Sequence, residues 1–509
     1  MNTLLSRSIS LLTVVTVYGL AAARPAHSED LAAVVAYAYE TNPGLQSQRA
    51  ALRALDENYV QARSGYGLNA SVTAGETSYD EALAGQRQYA NTHSEALSVT
   101  QPLYTGGRVH SQLNEAEAQI LAGRETLRRY EISLLTQVVA SYVYVRRDEA
   151  LLKVNQDTVT VLEKEMADTQ AKFDVREVTM TDVAEAKARL AQARATLASA
   201  EAALGVSRAQ FVSVVGQLPG SLEAPPVLSD LPAAITPAFD SAEENNPQLL
   251  AAEYTEQRSR ARIAEARAGR LPTVSLQLGV QHTPYLPYAP QPYNYAATAS
   301  VVVTQSLFTG GQVSSQIRQA LEQNNSDRLT IDDTRNQVIL GVTSAWEQLS
   351  SVRKALKALE DAGKADTFSF YGNREEEKLA LRTTIDVLNA ELELTNTQQS
   401  IIRARADEYV DQVQMLAVMG VLNVAMLSSD VKLYDPAKNF RAVEHKGETP
   451  LEWPVHALDA IGGVTVGKNP AASVAEVRPN ASAMPAAPGP ETPLPSILTT
   501  LTSPPPEPK

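Results

Sequence analysis

Residue types that catalyse reactions or bind metals occur in this chain, but their spacing matches no catalytic or metal-binding motif. Neither HExxH, another paired-ligand spacing, nor GxSxG is found. Cysteine is absent, which excludes a thiolate metal site, a cysteine nucleophile, a disulfide and a lipid-modified N-terminal cysteine. We therefore predict that the protein is not an enzyme and binds no metal or cofactor. The histidines are His27, His93, His110, His282, His445 and His456.

Two Thr-Gly-Gly triplets are the other short motifs with a possible chemical role. They lie at 105–107 and 309–311, and neither continues into the Gly-Lys-Ser/Thr of a phosphate-binding loop. Glycine allows a sharp turn and threonine can cap a helix, so each triplet predicts a turn from a strand into a helix. The glycines concerned are Gly106, Gly107, Gly310 and Gly311.

Composition sets the cellular context. The 44 Lys and Arg against 58 Asp and Glu give a net charge of -14, which disfavours nucleic acid as a partner. Residues 1–28 have the charged, apolar and small-residue regions of a secretory signal peptide. Residues 470–509 hold 11 of the 28 prolines and are predicted to be a disordered tail. Between them, no apolar run reaches the ~20 residues of a membrane-spanning helix.

An internal repeat organises the rest of the chain. TQPLYTGGRVHSQ at 100–112 matches TQSLFTGGQVSSQ at 304–316 in 9 of 13 positions, with an offset of 204. The same offset relates Asn42-Pro43 to Asn246-Pro247 and Gly216 to Gly420. We predict a first repeat at 29–220, a linker at 221–233, a second repeat at 234–424 and an equatorial post-repeat segment at 425–469.

Each repeat reads as a helix, two strands, a long helix and a return helix. In the first repeat the helices are predicted at 31–63, 106–172 and 182–216. Apolar residues recur every seven positions along the long helix, with a four-residue stutter between Leu134 and Val138. Adding 204 reproduces this pattern in the second repeat, which predicts a coiled-coil wall. Asp182 and Glu185 resemble a capping box at the start of the return helix.

The strands are predicted from alternating hydrophobicity. The clearest is 274–281, in which an aliphatic face alternates with a polar or glycine face. The others are 69–77, 94–103 and 296–306, and the polar segments 79–92 and 283–293 are predicted as loops. Four strands cannot close a membrane barrel, which needs at least eight. Two or three chains would supply enough strands, and the arithmetic does not choose between them.

The ordered motifs together resemble the TolC-like outer membrane efflux proteins. The resemblance covers about residues 30–440. It rests on the duplicated Asn-Pro pair and on both strand–helix junctions. It also rests on FDVREVTMTDVAEA at 173–186, LRTTIDVLNA at 381–390 and LYDP at 433–436. Many relatives carry a lipid-modified N-terminal cysteine, so this cysteine-free chain resembles the non-lipidated branch.

The resemblance implies a mainly α fold with a membrane β-barrel part. Three chains would form a twelve-stranded barrel in the outer membrane of a Gram-negative bacterium, continuous with a coiled-coil tunnel through the periplasm. Such a channel exports drugs or polypeptides, as in type I secretion. Its implied partners are a periplasmic adaptor and an inner-membrane transporter of the ABC, RND or MFS type.

The resemblance also implies a gate at the helical tips. Thr181 and Asp182 match the family's residues on one tip, and Arg382 and Asp386 match those on the other. In the family such groups link neighbouring helices and hold the entrance shut. The alternative is that they are only helix caps and solvated charges.

The tips also depart from the family pattern. Glu377 replaces an aromatic residue, Asn389 a second acid, and Arg176 and Ala380 two glycines. These changes leave the charge of the entrance, the bonding of the gate and the fit to an adaptor open. The alternative function, a periplasmic coiled-coil adaptor or scaffold without a barrel, would normally carry a lipoyl-like β-domain, which the sequence does not show.

Overall fold

The computed structural model describes residues 29–83, 86–228, 231–286, 291–379, 381–428 and 431–462. The predicted signal peptide (1–28), the predicted tail (470–509) and Ala380 lie outside these ranges. In the described part of the chain, no helix combines the length and hydropathy of a membrane span. This part is mainly helical, as predicted, and contains a four-stranded sheet.

The described elements follow the predicted order. Each of the four helices of the first half begins 204 residues before its counterpart in the second half. The elements are α1 Leu31–Thr41, α2 Pro43–Arg63, β1 Asn69–Leu83, β2 Gln86–Tyr104, α3 Arg108–Asp174, α4 Met180–Val215, α5 Ile235–Asn245, α6 Pro247–Ala268, β3 Thr273–Pro284, β4 Tyr293–Thr304, α7 Gln312–Lys378, α8 Thr384–Val418, α9 Val424–Leu427, α10 Lys438–Val443 and α11 Glu452–Gly462.

The duplicated Asn-Pro pair breaks the predicted helix 31–63 into α1 and α2. The Asn42 side chain accepts a hydrogen bond from the Leu45 backbone N–H at 3.0 Å, so it caps α2, and Pro43 occupies the first turn. The Asn42 amide Nδ2 also donates to the Val214 carbonyl at 3.2 Å. Asn246 repeats both roles at the start of α6. The pair therefore starts a helix and ties it to the end of the return helix.

Helices α3 and α7 form the long axis of the molecule. Each has 67 residues and spans about 100 Å at about 1.5 Å per residue. The predicted apolar stripe faces neighbouring helices: Leu134 and Val138 on either side of the stutter are buried, and so are their counterparts Val338 and Val342. The seven-residue pattern thus marks the buried face of the long helix in both halves.

The sheet is an antiparallel meander in the order β1-β2-β3-β4. The prediction of a loop over 79–92 was wrong, because β1 continues to Leu83 and β2 begins at Gln86. The strands were not recognised in this stretch because polar residues occur on both faces of the hairpin, so hydrophobicity does not alternate there. The second hairpin is shorter and ends at Pro284 and Tyr293, close to the predicted bounds.

The two faces of the sheet differ in chemistry. Directly opposed residues of antiparallel strands share a face, and Leu97 lies opposite Val280 while Leu276 lies opposite Val301. The other face carries serine, threonine, glutamine and glycine. Side chains of the aliphatic face are exposed in the single chain, with Val301 at 62% and Val72 at 75%. The aliphatic face comprises Val72, Leu97, Val99, Val274, Leu276, Leu278, Val280, Val301 and Val303.

The post-repeat segment first contacts the middle of the helical body. There the Tyr434 backbone N–H donates to the Tyr39 hydroxyl at 3.2 Å, and the Arg49 guanidinium lies over both tyrosine rings. Beyond this point α10 packs along α2, and α11 packs against β2 at the base of the sheet. The segment therefore runs from the middle of the helical body to the strand–helix junction.

Candidate functional site: helical tips and strand–helix junctions

Each return helix begins with a capping box at the tip of the molecule. Asp182 accepts hydrogen bonds at 2.8 Å from both the backbone N–H and the hydroxyl of Thr179, whose hydroxyl in turn accepts from the Asp182 N–H. Thr383 and Asp386 repeat this arrangement. The predicted pairing of Asp182 with Glu185 was wrong, because α4 starts at Met180 and places Asp182, not Glu185, at the third helical position.

The caps also set the charge of the two aspartates. The Thr179 N–H lowers the pKa of Asp182 below its usual value, and the Thr383 N–H does the same for Asp386, because each hydrogen bond favours the ionised carboxylate. Both side chains are partly exposed at the surface. They are therefore negative at any physiological pH. Thr181, predicted beside Asp182, lies exposed in the first turn of α4.

Arg382 lies next to Asp386 but pairs elsewhere in the single chain. Its Nε donates to the Glu376 carboxylate at 2.9 Å, and both side chains are about half exposed. In the described part of this chain, no hydrogen bond or ion pair joins Arg382 to Thr181 or Asp182. Glu376 was not anticipated as a partner, although the acidic run at 375–377 was a visible signal.

Glu377, predicted as an altered tip position, joins three helices. Its carboxylate accepts from the Lys172 ammonium at 2.9 Å and from the Thr384 hydroxyl at 3.0 Å. These partners lie on α3 and α8, while Glu377 belongs to α7. The pairing raises the pKa of Lys172. An ionic contact between tips thus occupies the position where the family pattern has an aromatic ring.

Two other altered positions, Asn389 and Arg176, have structural roles. The Asn389 amide oxygen accepts from the Arg189 guanidinium at 3.0 Å, which joins the two return helices. Arg176 adopts a positive φ of 66°, a left-handed conformation that costs a non-glycine residue about 1–2 kcal/mol. The turn it forms is closed by hydrogen bonds from Arg176 to Phe173 and from Glu177 to Lys172.

Above the tips, two buried carboxylates face the seam between α3 and α8. Glu165 is 8% and Glu391 is 5% exposed, and one Glu391 oxygen has no hydrogen-bond partner among the described residues. Burial, together with the Glu165 charge, raises the pKa of Glu391 to about 7, and Arg374 opposes the shift. The sequence analysis did not identify this pair, because the heptad pattern does not show which acids of the helical wall are covered.

The first strand–helix junction is buried and held by a distant carboxylate. Gly106 and Gly107 have φ of 71° and 78°, as a sharp turn requires. Asp459 of α11 accepts from the Thr105 hydroxyl at 2.7 Å and from the Thr105 and Gly107 N–H groups at 2.8 and 2.9 Å. Its side chain is fully buried. No sequence motif predicts this contact, which joins residues 352–354 positions apart.

The second junction has the same backbone turn but no cover. Gly310 and Gly311 also have positive φ, at 58° and 85°. Leu307 and Phe308, which precede them, are 92% and 91% exposed. A Cβ at Gly106 would lie 2.9 Å from the Leu271 Cβ, whereas one at Gly310 would meet no atom of the described residues within 4 Å. The two equivalent junctions thus share a backbone turn and differ in what packs against it.

These features describe a structural site rather than a chemical one. Among the described residues, no group of three His, Asp or Glu side chains could hold a metal ion. The charged tips, the repeated long helices and the two-faced sheet are the features that distinguish the described part of the chain. A family model of outer membrane efflux proteins matches the chain twice, over residues 34–217 and 238–421.

The chain therefore belongs to the outer membrane efflux protein family, as the sequence resemblance predicted. It is 30% identical over 419 residues to outer membrane efflux protein BepC of Brucella suis, which covers 82% of this chain and 91% of BepC. It is 24% identical over 416 residues to TolC of Escherichia coli, covering 78% and 83% of the two chains.

A solved structure supports the fold independently. The Campylobacter jejuni CmeC outer membrane channel superimposes with a TM-score of 0.69 at 13% identity, covering 82% of this chain and 89% of that chain. The protein is thus an outer membrane export channel that extends into the periplasm. The alternative of a periplasmic adaptor or scaffold is set aside by the family match.

Proposed function

We propose that three copies of this chain form a twelve-stranded channel, continuous with a helical tunnel, that exports small molecules, polypeptides or both. The observation that carries the assembly of copies is the contrast between the two strand–helix junctions, and the number three is what the family resemblance implies. The first is packed against Leu271 inside the chain, whereas the second leaves Leu307 and Phe308 almost fully exposed. A second copy would cover it, since an apolar surface of this kind is rarely left in water.

The internal repeat indicates how that copy would dock. Within the chain, α3 packs on α6 and β2 pairs with β3. Shifting this arrangement by 204 residues packs α7 on α2 of the next copy and pairs β4 with the next β1. The β2–β3 register then predicts Val303 opposite Ala74 of the neighbour. Strands β1 and β4 are the edge strands of the sheet and have free ladder groups for this pairing.

The two sheet faces support a barrel with a lipid-facing outside. Closing twelve strands would place the aliphatic face, which includes Leu276, against lipid and the polar face, which includes Gln277, in the lumen. Leaving the aliphatic face in water would be unfavourable. The alternation in β3 is thus the pattern expected of a membrane strand.

The tips are proposed as the periplasmic entrance. Thr181, Asp182, Arg382 and Asp386 lie there with the Lys172–Glu377 contact. Exposed ion pairs are worth about 0–1 kcal/mol each, so a partner protein could overcome a few of them. The partners proposed from the family are a periplasmic adaptor and an inner-membrane transporter of the ABC, RND or MFS type.

Native mass measurement of the detergent-extracted protein, followed by conductance in planar bilayers, tests the proposal. We expect a mass three times that of the mature chain and discrete conductance steps. A soluble periplasmic monomer, or a membrane-bound form without conductance, would contradict it.

A further inference from the structure

Helix α11 has an unusual distribution of charge. Its two acidic residues, Glu452 and Asp459, are buried against the body, together with Val455. The opposite face carries Trp453 at 76% exposure and Leu458 at 54%. Among the described side chains of this helix, no exposed one is an acid, a lysine or an arginine, and His456 is exposed. An exposed apolar helix face without charges indicates a contact surface.

The buried side fixes the position of α11 at the base of the sheet. Asp459 bonds to the first strand–helix junction and also accepts from the Tyr66 hydroxyl at 3.1 Å. The Glu452 carboxylate accepts from the Thr449 N–H at 3.0 Å, and Arg63 pairs with it at 3.5 Å. With both ends held in this way, the exposed face has a defined direction.

The strand register shows which face of the sheet α11 covers. Gln101 of β2 lies opposite Leu276 and so belongs to the aliphatic face of the sheet. It is only 3% exposed and donates to the carbonyl of Tyr66, which α11 covers. Helix α11 therefore lies over the lower end of the aliphatic face, on the side that the proposed barrel turns toward lipid.

We propose that the outer face of α11, formed by Trp453, Ala457 and Leu458, inserts into the periplasmic leaflet of the outer membrane. This inference rests on the proposed function, because only a membrane barrel places lipid beside the aliphatic face. Tryptophan favours the membrane interface, and amphipathic helices bury their apolar face about 5–10 Å deep there. Such a helix would anchor the base of the sheet to the membrane in a channel that has no cysteine to carry a lipid.

Lipid is favoured over a second copy of the chain by the position of the helix. The junction that we propose a neighbouring copy covers includes Leu307 and Phe308, and it lies beside the edge strand β4. Helix α11 packs instead on β2, an inner strand of the sheet. Its outer face continues the aliphatic surface of the strands, so it shares their environment.

Tryptophan fluorescence can test the contact, because the chain has only two tryptophans. Trp346 is 2% exposed in the core of the helical body, far along the chain from α11. The Trp346→Phe trimer, reconstituted in phosphatidylethanolamine–phosphatidylglycerol vesicles, would report Trp453 alone. We expect quenching by lipids brominated near the headgroup and little quenching by aqueous acrylamide. The Trp453→Phe trimer, which reports Trp346, should respond to neither.

Two outcomes would overturn the inference. Quenching of Trp453 by acrylamide but not by brominated lipid would place it in water. Resistance to both quenchers would mean that another part of the trimer covers it. Should Trp346→Phe fail to fold, the difference between wild type and Trp453→Phe gives the same readout. Conductance is measured on the same samples. A trimer that conducts, but whose Trp453 is not quenched by brominated lipid, would contradict this inference without contradicting the proposed channel.

Discussion

Lys172 on one tip donates to Glu377 on the other at 2.9 Å, and this contact joins the ends of the two long helices. Glu377 is 11% and Lys172 38% exposed, so the pair is better shielded than the other charges at the tips. Shielding strengthens an ionic hydrogen bond, and the Thr384 hydroxyl also fixes the carboxylate. Of the tip contacts, this one is therefore best placed to hold the helices together.

Replacing Glu377 with Gln should loosen the entrance. The neutral amide weakens the bond to Lys172, and a loss of about 1 kcal/mol would raise the ratio of open to closed channels about fivefold. Single-channel recording in planar bilayers measures this ratio. Asp361→Asn is the matched control, since it removes an exposed pair with Lys364 on the same helix. Equal open fractions in wild type and Glu377→Gln would rule out this role.

Arg382→Ser is expected to raise the open fraction as well, and a second variant reveals how. In the single chain Arg382 pairs with Glu376. Should the residue act through this local pair, Glu376→Gln will have the same effect as Arg382→Ser. Should it reach an acceptor on a neighbouring copy, only Arg382→Ser will change the conductance. Absence of any effect in both variants would leave Arg382 as a solvated charge.

Asp386→Asn should lower the preference of the channel for cations. Three copies would place three Asp386 carboxylates at the entrance, and Asn389 contributes no charge there. Because Asp386 also caps α8, Thr383→Ala is needed as a control that weakens the cap and keeps the charge. Reversal potentials in a salt gradient measure the selectivity. The same shift in both variants would attribute the effect to the helix cap.

The tip region should lose stability as the pH rises through the titration of Glu391. Its pKa is raised from 4.5 to about 7, so the folded state binds the proton more tightly than the unfolded state. Stability therefore falls between those two values and stays low above about pH 7. Glu391→Gln cannot ionise and should strengthen the amide protection of α8 at pH 8 by at most about 3 kcal/mol, with little change at pH 5.

Hydrogen exchange of the α8 amides measures this effect. Glu393→Gln is the control, because that side chain is exposed two positions away. The groups that act on Glu391 are Glu165 across the seam, which raises its pKa, and Arg374, which lowers it. Equal protection of wild type and Glu391→Gln at pH 8 would mean that the buried carboxylate is solvated after all.

Features with a local or periodic signal were predictable from the sequence. The heptad stripe predicted which face of α3 is buried, since Leu134 and Val138 must pack on a neighbour wherever the helix lies. Alternation predicted β3 and β4 closely. It did not predict the outer part of the first hairpin, where both faces are polar and the strands are recognised only by their pairing.

Contacts between distant segments were not predictable. No motif or periodicity singled out Asp459, and only the folded chain brings it to the Thr105 turn. The heptad pattern likewise does not distinguish Glu165 and Glu391 from solvated acids, because it does not reveal which helix covers them. The error at Asp182 was smaller. The predicted box took Asp182 as the cap, whereas the helix starts three residues earlier with Thr179 as its cap.

Disulfide trapping between copies tests the central claim that the sheet closes by pairing β4 with the next β1. The chain has no cysteine, so a Val303→Cys, Ala74→Cys double variant has no background. Both positions lie on the aliphatic face and are predicted to be opposed across the seam, within reach of a disulfide. Thr73→Cys replaces Ala74→Cys in the control, since its side chain points to the other face. Mild oxidation in outer membranes should give covalent dimers and trimers with the first pair alone. Only monomers with both pairs, or equal cross-linking by both, would contradict the account.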